Sequence, residues 1–422
     1  MVRQSTSLGT HHYAGGLSSL HVITIGPVTK IAPDWVVCSD PAEIRRIWSV
    51  RSGWYRSPWY KNFRLDPNRD NILTMTENKD HHRLRAHLLA GYAGKGLQNQ
   101  EQLVDEQILR YIRLIEQKYI STPGDPRPMD MSRTTQYLTQ DLVSSVGFGK
   151  AFGYLDADDD IFGVIEVSEA LLAPLAITAL FPIFLAVIKS PFMKPFLPKP
   201  TDKHGMGRML GIIKSHVDTR YGASKTSNND VLQSFVESGL PRDEVEAESL
   251  IQLVGGTDST ATAIRNIIFF VSTSPTAYKK LQEEIDGAAS ADEPVITDRR
   301  AKTLPYLQAV IREGLRMWPP ISGLMPRMSD QDEVVCGVRI PARTNVAWAV
   351  SGIMRDKASF GPDANSFDPD RWINAEPERL KVMEAAQGLV FMSGSRWECL
   401  GKRLAYIELG KIIFEVSCHL ES

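Results

Sequence analysis

The sequence predicts a mainly α-helical fold with a smaller β portion, packed as a single domain over residues 1–422. Three observations carry that reading. Helical spacing of apolar residues dominates residues 78–285, short β-type runs lie near the start and beyond Thr303, and no internal repeat or long linker separates them. A chain of 422 residues can bury a large core, and 43% hydrophobic with 23% charged residues excludes a disordered or collagen-like class. Forty-eight Lys and Arg nearly balance fifty Asp and Glu. No global field therefore favours nucleic acid or an anionic surface, and any partner is recognised locally.

Residues 28–31 and 35–38 read as short strands around the turn-forming Pro33 and Asp34. Asp40 is placed to cap a helix, with Pro41 in its first turn and Glu43 at capping-box spacing before Ile44 and Ile47. Polar breaks at 156–160 and 222–230 read as surface loops. Residues 170–188 contain only Thr178 as a polar residue, almost enough to span a bilayer. Pro174 and Pro182 each remove a helical hydrogen bond, so short buried helices or an interfacial patch fit better. Beyond Thr303 come one helix, a hairpin signal at Cys336-Gly337 and an extended run over 345–350.

Cys38, Cys336, Cys399 and Cys418 are far apart and form no CxxC pair or zinc-like series. No secretory signal opens the chain, which places it in a reducing, intracellular setting without disulfides. One cysteine stands out. Phe391, Gly394, Arg396, Cys399 and Gly401 form a glycine-punctuated loop that delivers Cys399 to the start of a helix over 402–415. Unpaired N–H groups and the helix dipole there favour a negative sulfur, as a metal ligand requires. Gly401 lets a flat macrocycle approach the backbone, and Arg396 is able to meet a carboxylate on it. Read alone, the segment also suits a buried structural cysteine in a turn.

Residues 241–272 read as one apolar helix, about 48 Å long at 1.5 Å per residue. Its middle, Gly255-Gly256-Thr257-Asp258-Ser259-Thr260, places two glycines beside an acid and three hydroxyls. Glycine in a helix costs about 1 kcal/mol against alanine, which implies a use. Gly255 shares a helical face with Asp258 and Ser259, making a slot for a small ligand with proton donors beside it. The plainer alternative is a kinked core helix whose hydroxyls bond back to carbonyls. Glu313 and Arg316 meet at i and i+3, ordinarily a surface pair. Arg371, in a turn before Trp372, is able to join them. His81 and Arg85 share a face of a basic helix over 79–89, and Arg327 follows Pro326 in a loop. His81, His82 and His87 form no HExxH pattern.

Taken in chain order, these fragments resemble the signature set of the cytochrome P450 superfamily over residues 26–420, closest in wording to fungal members that tailor secondary metabolites. The resemblance implies haem b lying between the long central helix and the cysteine loop, with Cys399 ligating its iron. His81, Arg85, Arg327 and Arg396 would hold propionates, and Phe391, Gly394 and Gly401 would shape the loop. Gly255, Asp258, Ser259 and Thr260 would form the oxygen-activating groove, and Glu313, Arg316 and Arg371 a structural charge triad. The implied reaction inserts one oxygen atom from O2 into a hydrophobic small organic substrate. NADPH serves indirectly through NADPH-cytochrome P450 reductase, with Lys402, Arg403 and Lys411 as candidates to meet its acidic surface.

Three departures accompany the resemblance. The span from Phe391 to Cys399 is one residue longer than usual, and Ser259 stands where threonine is commoner. The chain also reads as shortened at both ends, without an N-terminal anchor or the C-terminal β region. These departures keep two alternatives open: a non-catalytic haem-binding homologue, and a haem-thiolate isomerase or dehydratase, against which the Asp258-Ser259 pair argues. Expected localisation is the cytoplasm or the cytoplasmic face of the endoplasmic reticulum, with possible peripheral membrane contact. Leu171, Leu175, Phe181 and Phe184 suit either a hydrophobic entrance or a core.

Overall fold

Local chemistry starts the helices where the residues direct. Asp40 Oδ1 accepts the Glu43 N–H at 2.8 Å, Pro41 supplies the first turn, and the helix Pro41–Trp48 follows. The computed structural model describes residues 26–66, 69–94, 99–180, 187, 190, 192–221, 228–290 and 292–419. They group into two compact units: Pro58–Asp258, and residues 26–57 with those from Ser259 onward.

The unit Pro58–Asp258 is helical. Its functional elements are α1 (Asn78–Tyr92), α2 (Met131–Phe148) and the first part of α3 (Arg242–Ser272). Asp130 caps α2 by accepting from the Ser132 N–H at 2.8 Å, and Gly149 ends it at φ 78°, a left-handed conformation that glycine alone adopts without strain. α2 is buried from Thr134 to Phe148. It lies close to α3, because a Cβ on Gly256 would sit 2.9 Å from Val143 Cγ2. Glycine there sets the approach of the two backbones.

The second unit carries the β portion. Its strands are β1 (Val28–Ala32), β2 (Trp35–Cys38), β3 (Tyr55–Arg56), β4 (Arg327–Met328), β5 (Glu333–Val335), β6 (Val338–Ile340) and β7 (Asn345–Trp348). One sheet has the order β1-β2-β7-β4-β3, with β1 antiparallel to β2 and β2 parallel to β7, where Val37 faces Ala347. The β5-β6 hairpin turns on Cys336 at φ 48° and Gly337 at φ 80°, the double positive φ of a two-residue turn. Helices α4 (Pro305–Met317) and α5 (Lys402–His419) belong to the same unit.

Four expectations need correction. Val164–Leu180 is one helix that continues through the exposed Pro174, so that proline does not break it; Pro182 lies outside the described residues. Of the surface loop expected over 222–230, residues 222–227 lie outside the described ones and Asn228 and Asn229 are exposed, but Asp230 is buried: it caps the helix Val231–Glu237 and pairs with buried Arg220 at 2.5 Å. The run over 345–350 is strand only to Trp348, and Val350 opens a helical turn. Lys411 is fully buried, which removes it from any docking surface. Among the described residues, no helix is long and apolar enough to cross a membrane. Phe181, Phe184 and the side chains of Leu171 and Leu175 lie outside the described residues.

Candidate active site

The loop before α5 is built to hold one sulfur outward. Phe391 is buried against Tyr406, with ring centroids 5.2 Å apart, and its carbonyl accepts the Cys399 N–H at 2.9 Å. Met392 at φ 52° and Gly394 at φ 76° turn the chain between them. Lys402 Nζ then ties the loop to its own helix, donating to Ser393 Oγ at 2.8 Å and Glu398 Oε1 at 2.9 Å. Arg396 reaches the other way and donates to the carbonyls of Val50 and Ser52. Cys399 is exposed, two residues before Gly401, whose carbonyl accepts the Ala405 N–H in the first turn of α5. Cys38 has the opposite environment: it is fully buried, and desolvation pushes its thiol far above the usual range. Packing, the plain role for a cysteine, describes Cys38 and does not describe Cys399.

Arg327 is fully buried beside this loop. Its guanidinium lies 4.1 Å from the Trp397 ring centroid and 5.1 Å from that of Trp48, and Nη1 donates to the carbonyls of Met325 and Pro326.

On α3 the two glycines have different tasks. Gly256 packs on Val143, whereas a Cβ on Gly255 would meet nothing within 4 Å. Thr257 bonds back to the Leu253 carbonyl at 2.6 Å, as an ordinary helix hydroxyl does. Asp258 is half-buried and accepts at Oδ1 from Gln136 Nε2 at 3.2 Å. Ser259 is half-buried. Thr260 is buried, and its hydroxyl donates to Glu408 of α5, whose carboxyl is wholly buried and pushed up to about 8 by desolvation. His81 is buried on α1 and Arg85 half-buried one turn later.

Glu313, Arg316 and Arg371 come together in one buried network. Arg316 makes a bidentate pair with Glu313 at 2.8 and 2.6 Å, and Arg371 Nε donates to Glu313 Oε1 at 3.1 Å. Trp372 Nε1 and the Asp368 N–H complete the carboxylate at 2.9 Å each. Arg316 donates further to the carbonyls of Met354, Ala364 and Ser366. The i, i+3 pair is therefore a core cross-link joining α4 to residues 354–372, not a surface pair.

A cytochrome P450 family model matches residues 34–416. The chain belongs to the cytochrome P450 family. It is 38% identical over 395 residues to cytochrome P450 monooxygenase ABA1 of Pyricularia oryzae, covering 92% of this chain and 77% of that one. It is 36% identical to monooxygenase aba1 of Botryotinia fuckeliana, covering 93% and 78%, and 34% identical to monooxygenase abl1 of Leptosphaeria maculans, covering 93% and 70%. This cytochrome P450 is accordingly a monooxygenase with the mainly helical family fold.

The family implies haem, and the residues of this P450 fit that group. Cys399 offers an exposed sulfur, the axial donor that haem-thiolate proteins use. Among the described residues only that sulfur lies within 4 Å of the Gly401 Cβ position, at 3.9 Å, which leaves the space a macrocycle edge would need. Buried Arg327, whose guanidinium presents a fork of N–H donors beside the cysteine loop, suits a carboxylate. Among the described residues no group of three His, Cys, Asp or Glu forms a further metal centre.

Two residues, Gln136 beside Asp258 and Glu408 beside Thr260, escaped the sequence reading. Gln136 sits 122 positions from Asp258, and its only signal was an amide within a helix otherwise sorted for burial. Glu408 was visible as one of two acids, with Glu415, in the apolar run of α5.

Proposed function

We propose that this P450 inserts one atom of O2 into a C–H bond of a hydrophobic small organic molecule in secondary metabolism, with the second atom leaving as water. NADPH would supply the two electrons through NADPH-cytochrome P450 reductase. The observation that carries the reading is Cys399, the exposed sulfur at the head of α5. When bound, haem b supplies the oxygen-activating chemistry, and thiolate donation favours O–O cleavage.

The remaining roles belong to the chain. Phe391, Gly394 and the Lys402 ties hold the loop that presents Cys399. Arg327, with His81 and Arg85, would bind the propionates; Arg396 braces the loop on Val50 and Ser52. Gly255 keeps one face of α3 open. Asp258 would pass protons to the reacting oxygen, with Ser259 as the neighbouring hydroxyl and Thr260 held by Glu408. The Glu313, Arg316 and Arg371 network would keep the scaffold rigid. Single-domain behaviour over the whole chain belongs to the same proposal. Exposed Arg403 is the candidate contact for an acidic reductase surface. Phe192 and Phe196, 84% and 75% exposed, with exposed Lys199 and Lys203, support peripheral contact with a membrane.

The test is turnover under isotopically labelled dioxygen with reductase and NADPH, using compounds that perturb the haem spectrum. One labelled atom in the product is expected. Product formed without label, or without NADPH, would instead establish an isomerase or dehydratase.

A further inference from the structure

Helix α2 is buried along almost its whole length yet carries Thr135, Gln136, Thr139 and Gln140 in its first half. The threonines satisfy themselves: Thr135 Oγ1 donates to the Met131 carbonyl at 2.7 Å, and Thr139 Oγ1 to the Thr135 carbonyl at 3.1 Å. The glutamines do not. Gln136 is 3% exposed, its Nε2 donates to Asp258 Oδ1 at 3.2 Å, and its Oε1 has no donor among the described residues. An apolar side chain of the same size would pack there without leaving a buried amide oxygen unsatisfied. The amide therefore has a purpose other than stability, and its single bond points to Asp258.

We infer that Gln136 is the positioning residue for Asp258, which rests on the proposed proton-relay role of that acid. The packing makes the reach possible. The pairs Gly147 with Gln252, Val143 with Gly256, and Gln136 with Asp258 descend α3 in reverse order as α2 ascends, so the two helices run antiparallel in close contact. Gly256 brings the backbones together, and Gln136 fixes one carboxylate oxygen while leaving Oδ2 for proton exchange. A neutral donor matters here. An arginine, as in the buried Arg220–Asp230 and Arg316–Glu313 pairs, brings a full positive charge to a carboxylate, whereas an amide orients the acid without adding charge.

The test uses the haem-loaded protein with reductase, NADPH and dioxygen alone, following how much consumed oxygen ends as hydrogen peroxide and how much as water. Gln136→Leu is expected to raise the peroxide share severalfold with an unchanged carbon monoxide spectrum and melting temperature. Gln136→Glu, nearly identical in size, is expected to raise it too and to move the pH profile of the partition upward, since a second carboxylate disfavours ionisation of Asp258. A purely structural role would not move that profile. In an Asp258→Asn background, Gln136→Leu is expected to add nothing. Wild-type partition in both Gln136 variants, while Asp258→Asn alters it, would overturn the positioning role alone. So would a Gln136→Leu effect that persists in full without Asp258. Wild-type partition in Asp258→Asn would remove the relay itself, and the role of Gln136 with it.

Discussion

Glu313 and Asp258 are both acids in the interior half of a helix, and their surroundings differ in kind. Glu313 has no exposure and receives donors from Arg316, Arg371, Trp372 and the Asp368 backbone, so both oxygens are committed. Asp258 is half-buried and takes one bond from a neutral amide. A carboxylate with both oxygens committed to guanidiniums, an indole and a backbone N–H is held immobile, which suits a cross-link. A sparsely held one keeps an oxygen uncommitted among the described residues, which suits the proposed relay.

The largest effect that sharpens this contrast is expected at Glu313. Glu313→Ala leaves the buried Arg316 without its carboxylate partner, while Arg371 keeps Asp363 at 3.1 Å, and loss of about 3–5 kcal/mol is expected. Urea unfolding and the yield of haem-containing protein measure it; near-normal stability would return Glu313 to the ordinary surface pair. Asp258→Asn is expected to leave stability and haem binding intact while reducing product formed per NADPH, by a fraction of the roughly 10²–10⁴-fold that a placed proton donor contributes. Hydroxylation at wild-type efficiency in that variant would end the relay assignment. Arg327→Leu is expected to lower haem retention on dilution, since the buried guanidinium lies over Trp397 of the cysteine loop; unchanged retention would leave it a stacking residue between Trp48 and Trp397.

The smallest effect concerns pH. Burial raises Glu408 from the ordinary carboxyl value of 4.5 to about 8, so between those values the folded protein holds a proton that the unfolded chain has released. Its contribution to stability is full below the unfolded value and is lost as pH rises through the folded one. Glu408→Gln removes this dependence. Melting temperatures for the variant are expected to fall less steeply across that window, with the gain over wild type appearing at its alkaline end. Parallel curves for the two proteins would place the Glu408 carboxyl in contact with water.

Much of this was legible locally. The Asp40 cap, the paired turn residues Cys336 and Gly337, the unbroken apolar period over the long helix and the glycine-punctuated cysteine loop each depend on neighbours within a few residues. What stayed hidden depends on distant partners. Asp230 looked like a loop acid because Arg220 belongs to another helix, and Lys411 looked like a surface lysine because α5 is buried on nearly all sides. Pro174 looked like a break, yet helix Val164–Leu180 runs through it on an exposed face. Gln136 carries no local mark at all, since its meaning comes from an acid 122 positions away.

The most direct measurement is the spectrum of the reduced protein with carbon monoxide, taken for the wild type and for Cys399→Ala. A strongly red-shifted haem band in the wild type, absent from the variant, is expected from iron bound to an ionised sulfur. Failure of the haem-supplied wild type to show that band, or its persistence without Cys399, would contradict the assignment.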